Sequence, residues 1–162
     1  MTIQPSVSLR SASERDVSVL VDIARRAWLS AFAQTVPFPM IQAWIAMDRE
    51  PAWYASYWAM MTVAEFDGKI VGLVQPKDAE VNGLWVHPSA QGRGLGACLL
   101  AEAERQIASA GHHTSWLKCS AFNPRAQSFY SRYGYRVTRR VVEPFAGIDE
   151  EMLVFEKAVS FR

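Results

Sequence analysis

Alternating apolar and polar positions predict the clearest β-structure in this chain. Two alternating runs, at residues 61–66 and 69–74, are separated by Asp67 and Gly68. An Asp-Gly pair between two such runs is a strong signal for a tight β-hairpin. Short alternating or apolar runs predict further strands at residues 7–10, 79–86, 116–121, 135–139 and 151–156.

Helical spacing of apolar residues predicts the elements between these strands. The first helical stripe begins at Val17 and reaches Phe32, and Ser13 followed by Asp16 is a variant of the capping box. Pro37 ends this helix. Further helices are expected as one or two short pieces within residues 40–61, from a glycine-rich segment to residue 110, and at residues 124–133. This order of elements fits a mixed sheet with helices packed on it.

The size and composition of the chain fit one globular domain. Its 162 residues are enough for one sizeable core, so we expect a single domain over residues 1–162. Half of the residues are hydrophobic and 20% are charged, which separates the chain from the disordered class. A net charge of +1 produces no overall electrostatic attraction to a nucleic acid or a membrane. We therefore expect neither as a partner.

The two cysteines do not indicate a disulfide framework or a metal site. Cys98 and Cys119 lie 21 positions apart in apolar segments, with no CxxC pair and no histidine at ligand spacing. We expect both to be reduced and half-buried, and we expect no metal. The first residues lack a basic region followed by an apolar run, and no apolar segment approaches membrane-spanning length. A cytoplasmic location is the resulting expectation.

Residues 44–58 are unusually rich in aromatic side chains. The five aromatics of this stretch are Trp44, Trp53, Tyr54, Tyr57 and Trp58. Core packing is the simpler interpretation of aromatics at helical spacing. The alternative is that some of them line a cleft, because five exceed what a short helix normally buries.

A glycine-rich segment, Gln-Gly-Arg-Gly-Leu-Gly at residues 91–96, separates the apolar residues 84–88 from an Ala/Leu/Glu-rich helical stretch. Its glycines allow a sharp turn that exposes N–H groups at the positive end of a helix dipole, where a phosphate can bind. A tight connection without a ligand is the alternative. The order GxGxG differs from the dinucleotide pattern GxGxxG, and no Lys-Ser/Thr pair follows Gly96 as a Walker loop requires.

Two motifs follow one another along the second half of the chain. The first has the form Q/R-x-x-G-x-G/A and comes after Val86-His87-Pro88, which matches V-x-P; its matches are Gln91, Gly94 and Gly96. The second has the form N-x-x-A-x-x-F-Y-x-x-x-G-F/Y, and its matches are Asn123, Ala126, Phe129, Tyr130, Gly134 and Tyr135. With both motifs in this order, the chain resembles the GCN5-related N-acetyltransferases (GNAT), most sharply over residues 80–135.

The resemblance implies an α/β (α+β) fold of the GNAT type, with a mixed, mostly antiparallel central sheet of about six or seven strands flanked by about four helices. It implies acetyl-CoA as cosubstrate, with the pyrophosphate on the glycine-rich segment and the pantetheine arm paired along the preceding strand. The residues implied in cofactor binding are Leu84, Trp85, Val86, Gln91, Gly92, Arg93, Gly94, Leu95, Gly96, Asn123 and Tyr130. Capping of the following helix is the alternative role for Asn123, and the two roles can coexist.

The resemblance also implies two catalytic residues for direct attack of an amine on the thioester carbonyl in a ternary complex. Glu80, near the start of the fourth strand, is implied as the general base, directly or through water, with an exposed carboxylate as the alternative. Tyr130 is implied as the general acid for the coenzyme A thiolate, with a packed aromatic as the alternative. A backbone N–H of the fourth strand, at Val86, is implied as the oxyanion donor.

Acceptor recognition is expected in residues 37–61 and in a loop at residues 141–149. An aromatic-lined cleft with one or two carboxylates suits a primary amine on an apolar or aromatic body. A non-catalytic acyl-CoA-binding module is the main alternative to an enzyme, and nucleic-acid binding through second-half arginines is a weaker one. The apolar last strand and the surplus of aromatics make a homodimer a further expectation.

Overall fold

A computed structural model describes residues 6–145 and 147–161 of the chain, and one seven-stranded sheet forms its centre. The strands are β1 (Val7–Ser11), β2 (Thr62–Phe66), β3 (Lys69–Lys77), β4 (Glu80–Val86), β5 (Thr114–Ser120), β6 (Arg136–Phe145) and β7 (Ile148–Ala158). Their order is β1-β2-β3-β4-β5-β7-β6, and all neighbours are antiparallel except β4 and β5. The predicted mixed, mostly antiparallel sheet is confirmed.

Five α-helices connect the strands in the part of the chain that the structure describes. They are α1 (Val17–Phe32), α2 (Phe38–Met47), α3 (Glu50–Tyr57), α4 (Leu95–Ser109) and α5 (Pro124–Arg132). The two short pieces predicted within residues 40–61 are α2 and α3, and Asp48 separates them in the left-handed conformation, with φ 41°. Within the described ranges, no helix has both the length and the apolar character that crossing a membrane requires.

The helices cover both faces of the sheet. On one face, α1 and α3 pack around Leu20 and Leu73. On the other face, α4 packs around Val74 and Leu99, and α5 adds Phe129 to this cluster. Leu73 and Val74 are adjacent in β3 but serve opposite clusters, because successive side chains of a strand point to opposite faces. Coverage of both faces explains why the central strands are apolar at consecutive positions.

The β2–β3 hairpin has the turn that its sequence predicts. Asp67 and Gly68 have φ values of 51° and 74°. A two-residue turn of type I′ needs positive φ at both central positions, which Asp and Gly adopt more easily than other residues. The hairpin prediction is confirmed.

The prediction of a loop at residues 141–149 is wrong, because β6 runs to Phe145 and β7 begins at Ile148. The two strands stay in register over this stretch, with Val141 opposite Met152. β6 is an edge strand whose first five residues, 136–140, are exposed and include three arginines. Such an edge lacks the apolar alternation from which a strand is recognised, since charged residues protect it against unwanted pairing.

The two cysteines differ in exposure. Both are free thiols, and Cys119 is buried in β5, more completely than the expected half-burial. The expectation that Cys98 is half-buried is wrong, because it is exposed on α4. The following residues, Leu99 and Leu100, take the inward face of that helix, which turns position 98 outward.

Asp16 fixes the junction between β1 and α1. Its carboxylate accepts hydrogen bonds from the backbone N–H of Ser13 at 2.8 Å and from the Ser13 hydroxyl at 2.9 Å. It also pairs with the Arg10 guanidinium at 2.7 Å, and only 7% of the Asp16 side chain is exposed. The predicted capping-box variant is therefore present, with a 3-10 turn at Glu14–Asp16 before α1. The hydrogen bonds from Arg10 hold the pKa of Asp16 well below its usual range.

We expect Asp16→Asn to lower the free energy of unfolding at pH 7 by about 1–3 kcal/mol, because charged hydrogen bonds are lost at a nearly buried position. The folded pKa lies below the unfolded value of about 3.9, so this stabilisation is present above that pH and is lost as the pH falls through the folded pKa. Urea unfolding at pH 7 and pH 3 should therefore show a smaller difference at pH 3.

The matched control for this prediction is Asp22→Asn. Asp22 forms an exposed pair with Arg26 on α1. Its substitution should change the free energy of unfolding by less than about 0.5 kcal/mol at either pH. Equal destabilisation by Asp16→Asn at the two pH values would contradict the role assigned to its charge.

Candidate active site

The centre of the sheet opens between β4 and β5. These parallel strands pair at one position, Glu80 opposite Trp116, and the Trp116 N–H donates to the Ala79 carbonyl at 3.0 Å. On its other side β4 is paired with β3 from Glu80 to Val86. The carboxyl end of β4 therefore presents backbone N–H and C=O groups toward the opening. A crevice at the carboxyl ends of parallel strands is a common ligand position in sheets of this kind.

A bulge lies in β4 beside this opening. Gln75 of β3 pairs with Gly83, whereas the next residue, Pro76, pairs with Val81, so Asn82 is an extra residue in β4. Pro76 has no N–H to contribute to the ladder, which suits the irregular position. The bulge directs Asn82, Gly83 and the Trp85 side chain to one face of the sheet. Leu84 and Val86 pack on the other face, against α4.

The glycine-rich segment follows β4 and begins α4. Gly92 and Gly94 have φ values of 77° and 80°, and Gly94 is the N-cap of α4. The first helical hydrogen bond runs from the Cys98 N–H to the Gly94 carbonyl at 3.1 Å. The N–H groups of the preceding helical turn, from Leu95, have no acceptor within the helix. This is the geometry of an anion-binding helix N-terminus.

Three further predicted residues of this segment have distinct positions. The Gln91 side chain donates from Nε2 to the Val86 carbonyl at 3.0 Å, which ties the loop to the end of β4. The exposed Arg93 guanidinium lies 5.1 Å from the centre of the Phe66 ring. A Cβ on Gly96 would lie 3.3 Å from the ring of Phe129, so glycine allows α4 to approach α5 closely at this point.

Asn123 and Tyr130 lie on the opposite side of the opening, after β5. The Asn123 Oδ1 accepts a hydrogen bond from the Ala126 N–H at 3.1 Å, so Asn123 is the N-cap of α5. Tyr130 is half-buried, with its ring 5.9 Å from that of Tyr135 and 6.0 Å from that of Phe155. Burial raises the pKa of the Tyr130 hydroxyl above its usual value, so the hydroxyl keeps its proton at neutral pH.

Glu80 lies at the closed end of the opening, where β4 and β5 are still paired. Its side chain is half-buried, and desolvation raises its pKa above the ordinary value while Lys118 and Lys77 oppose the shift. Lys118 is itself held by Glu143 at 2.6 Å. The Glu80 carboxylate is therefore partly shielded from solvent at the start of β4. Glu80 is not among the residues that line the aromatic cleft described next.

An aromatic-lined cleft of about 290 Å³ lies on the α1 and α3 side of β3 and β4. Its lining residues are Ala24, Trp28, Trp44, Arg49, Glu50, Trp53, Tyr54, Leu73, Gln75, Asn82, Gly83 and Trp85. Trp28 and Trp44 stack with ring centres 4.1 Å apart and an angle of 9° between the planes. Core packing and cleft lining, the two interpretations of residues 44–58, are thus combined, since Trp44 and Tyr54 are buried and also line the cleft.

The charged lining residues connect the cleft to neighbouring elements. The Arg49 guanidinium lies 5.3 Å from the ring centre of Phe145, at the end of β6. A Glu50 carboxylate oxygen lies 3.7 Å from Nε of Arg25 on α1. The end of β6 therefore contacts the cleft through Arg49, and Glu50 places one carboxylate in the lining.

Gln75 is a functional candidate that sequence reasoning missed. The residue is 3% exposed, and its Oε1 accepts a hydrogen bond from Nε1 of Trp53 at 3.2 Å. Its Nε2 is buried without a hydrogen-bond partner among the described residues. An unpaired buried donor of this kind costs about 1–3 kcal/mol. The sequence feature that could have indicated Gln75 is its place directly after the apolar run at residues 70–74, where a strand is expected to continue.

The predicted site residues fall into two groups. The glycine-rich segment, Asn123 and Tyr130 meet around the carboxyl ends of β4 and β5, whereas Glu80 lies at the paired end of the same strands. Trp85 turns its side chain to the cleft, so only its backbone borders the opening. Within the described part of the chain, no three His, Cys, Asp or Glu side chains are grouped as a metal site requires.

Comparison with protein families and curated proteins identifies relatives of the chain. The family model described as the acetyltransferase (GNAT) family matches residues 19–135. A blasticidin-S acetyltransferase of Streptomyces morookaense is 38% identical over 104 residues, which cover 64% of this chain and 74% of that protein. The family match spans both motifs from which the resemblance was inferred.

Solved structures of similar fold agree with this family. A GCN5-related N-acetyltransferase from Rhodopseudomonas palustris superposes with a TM-score of 0.86 at 20% identity, covering 98% of this chain and 99% of its own. The PaiA N-acetyltransferase of Thermoplasma acidophilum, solved in complex with coenzyme A, gives 0.77 at 22% identity, covering 94% and 99%. At these identities the likeness concerns the fold.

Proposed function

The chain belongs to the GNAT acetyltransferase family and is an acetyl-CoA-dependent N-acetyltransferase, and from this premise we propose that it acetylates the primary amine of a small molecule with an apolar or aromatic body. The observation that carries the proposal is the position of β4. Its unpaired edge borders the glycine-rich segment, and its cleft-facing residues border the aromatic cleft. One strand can therefore present the thioester to an amine.

We assign the cofactor side of the site to the opening between β4 and β5. The pyrophosphate would bind the N–H groups of the glycine-rich segment, with Arg93 released from Phe66 to add a charge. The pantetheine amides would pair with the backbone of residues 84–86 as an extra strand does. Asn123 uses Oδ1 for helix capping, and its Nδ2 is the donor that would reach the same arm.

The acceptor side is the aromatic cleft. A body of aromatic or apolar character fits between its tryptophans, and Glu50 supplies a carboxylate for an ammonium group. One relative is named for the acetylation of blasticidin-S, which supports a small-molecule acceptor here. We keep three sequence predictions alongside this assignment: one domain over residues 1–162, a homodimer, and a cytoplasmic location.

The proposed chemistry is direct transfer in a ternary complex. Glu80, directly or through water, takes a proton from the ammonium, and the neutral amine attacks the thioester carbonyl carbon to form a C–N bond. A backbone N–H of β4, at Val86, stabilises the tetrahedral oxyanion. The C–S bond then breaks, the thiolate receives its proton from the Tyr130 hydroxyl, and the nitrogen of the new amide returns its surplus proton to the Tyr130 oxygen through water. Burial raises the pKa of Tyr130, so its hydroxyl carries a proton at neutral pH.

The first test is thiol release from acetyl-CoA across a panel of amines, with a reaction lacking acceptor as control. The panel contains arylalkylamines, amino-acid amides, short peptides, polyamines and blasticidin-S. We expect amines with an aromatic or apolar body to give the fastest release, because the cleft lining is dominated by tryptophans. Turnover restricted to polyamines would reject the acceptor class, and no acetyl-CoA binding in calorimetry would reject the cofactor assignment.

Tyr130→Phe should lower turnover at least about tenfold, because the leaving thiolate loses its acid. Acetyl-CoA affinity should stay nearly unchanged, since the ring and its packing remain. The same thiol-release assay with the best amine gives kcat, and calorimetry gives the affinity. Tyr133→Phe, an equal change at the exposed C-cap of the same helix, is the matched control and should keep full activity. Unchanged kcat in Tyr130→Phe would remove this residue from the mechanism.

Glu80 should govern the acid limb of the pH profile of kcat/KM. A base acts in its deprotonated form, so activity rises as the pH rises through the pKa of Glu80, which burial places above the ordinary value. Glu80→Gln should lower kcat/KM at least about tenfold at neutral pH and abolish this limb. Glu14→Gln, at an exposed position in the 3-10 turn before α1, is the control. A full acid limb in Glu80→Gln would assign the base elsewhere.

A further inference from the structure

The unpaired amide of Gln75 points to a feature of the acceptor. We propose that Gln75 is a specificity-determining residue, whose Nε2 donates a hydrogen bond to a neutral carbonyl oxygen or ring nitrogen on the planar body of the acceptor. This inference rests on the proposed function, because it assigns the aromatic cleft to the acceptor. It adds the chemical group that the acceptor must carry.

The orientation of the Gln75 amide is determined by Trp53. The indole Nε1–H can only donate, so the atom of Gln75 that lies 3.2 Å from it must be the oxygen. An exchange of the amide oxygen and nitrogen would place two donors against each other. Trp53 therefore acts as a positioning residue that directs the Gln75 nitrogen to its present place, where no described residue accepts from it.

The surroundings of Gln75 leave room for a ligand atom. Its partner across the β3–β4 ladder is Gly83, next to the bulge at Asn82. A Cβ placed on Gly83 would meet one atom within 4 Å, Nε1 of Trp85 at 3.8 Å. Gln75, Gly83 and Trp85 all line the cleft. The open space at Gly83 thus belongs to the cavity that the acceptor would occupy, and an acceptor atom entering there would reach the buried Gln75 nitrogen from the ladder partner's side.

The walls of the cleft select the shape and charge of the recognised group. The parallel rings of Trp28 and Trp44, with the indoles of Trp53 and Trp85, present flat apolar surfaces on which a planar ring or amide stacks well. Arg49 and Glu50 line the same cavity with opposite charges, so the lining has no net charge that would attract an ionised group on the planar body. A neutral hydrogen-bond acceptor on a planar group satisfies both conditions.

The test compares two amines of closely matched size and shape. 4-(Aminomethyl)benzamide carries a carboxamide on its ring, and 4-isopropylbenzylamine carries an apolar group of similar size in its place. In the wild-type enzyme we expect kcat/KM for the benzamide to exceed that for the isopropyl compound by about tenfold or more, because a buried donor is left unpaired by the second amine. In Gln75→Met this preference should fall to less than about threefold, with the KM for acetyl-CoA unchanged.

Thermal unfolding of the enzyme without ligands separates recognition from a structural role. Gln75→Met removes a buried unpaired donor and introduces an apolar side chain of similar length. Its Tm should therefore equal or exceed that of the wild type. Trp53 is 40% exposed and can donate to water instead. Gln34→Met, the same change at an exposed position after α1, is the control for both measurements.

Each outcome decides the proposal. A wild-type enzyme that shows no preference, a preference that persists in Gln75→Met, or acetylation of neither amine would overturn it. A lower Tm with an intact preference would assign the Gln75 amide to an internal water instead. Should Gln75→Met not fold, Gln75→Glu, which replaces the donor by an acceptor of equal size, must lose the preference. Acetyl-CoA binding without benzamide selectivity overturns only this inference, whereas absent acetyl-CoA binding overturns the proposed function.

Discussion

The site depends on how little of β4 is joined to β5. Both strands have seven residues, yet they pair at Glu80 and Trp116 and then separate. Antiparallel ladders on the other side of each strand hold β4 to β3 and β5 to β7. The unsatisfied backbone groups along β4 must bind water or an extended ligand. An open ladder in the middle of a sheet is thus the feature from which the cofactor side of the site is built.

The bulge at Asn82 completes this arrangement on the other face of the sheet. It changes the alternation of β4, so that Leu84 and Val86 face α4 while Asn82 and Trp85 face the aromatic cleft. A regular strand would have placed these side chains differently relative to Val81. The extra residue therefore allows one short strand to serve the buried core, the cofactor edge and the cleft. Pro76 in the partner strand accommodates the irregularity because it donates no hydrogen bond.

Much of the fold could be predicted because its signals are local. The Asp67-Gly68 turn, the Ser13–Asp16 cap and the glycine-rich start of α4 each reflect short-range backbone requirements that the sequence states directly. The extensions of β6 to Phe145 and of β7 back to Ile148 were missed, since an exposed edge strand is stabilised by its partner β7 and shows no apolar alternation of its own. Helix α4 was predicted, but the outward direction of Cys98 depends on which face meets the sheet.

The candidate site was only partly predictable for a related reason. The residues of the cofactor side form two contiguous motifs, so the sequence names them. The cleft instead gathers Trp28, Gln75 and Asn82 from three separate elements, and no spacing rule brings these together. Gln75 in particular looks like an ordinary polar position at the end of a strand. It becomes a candidate only through the tertiary contact with Trp53 and the open space at the Cβ position of Gly83.

The close packing of Gly96 against Phe129 couples the positions of α4 and α5. The absent side chain at position 96 allows the first turn of α4 to rest against the ring of Phe129, the residue directly before Tyr130 on α5. A shift of α4 would therefore be transmitted to α5, which carries Tyr130. In the proposed mechanism, the position of the cofactor loop and the direction of the general acid would then change together.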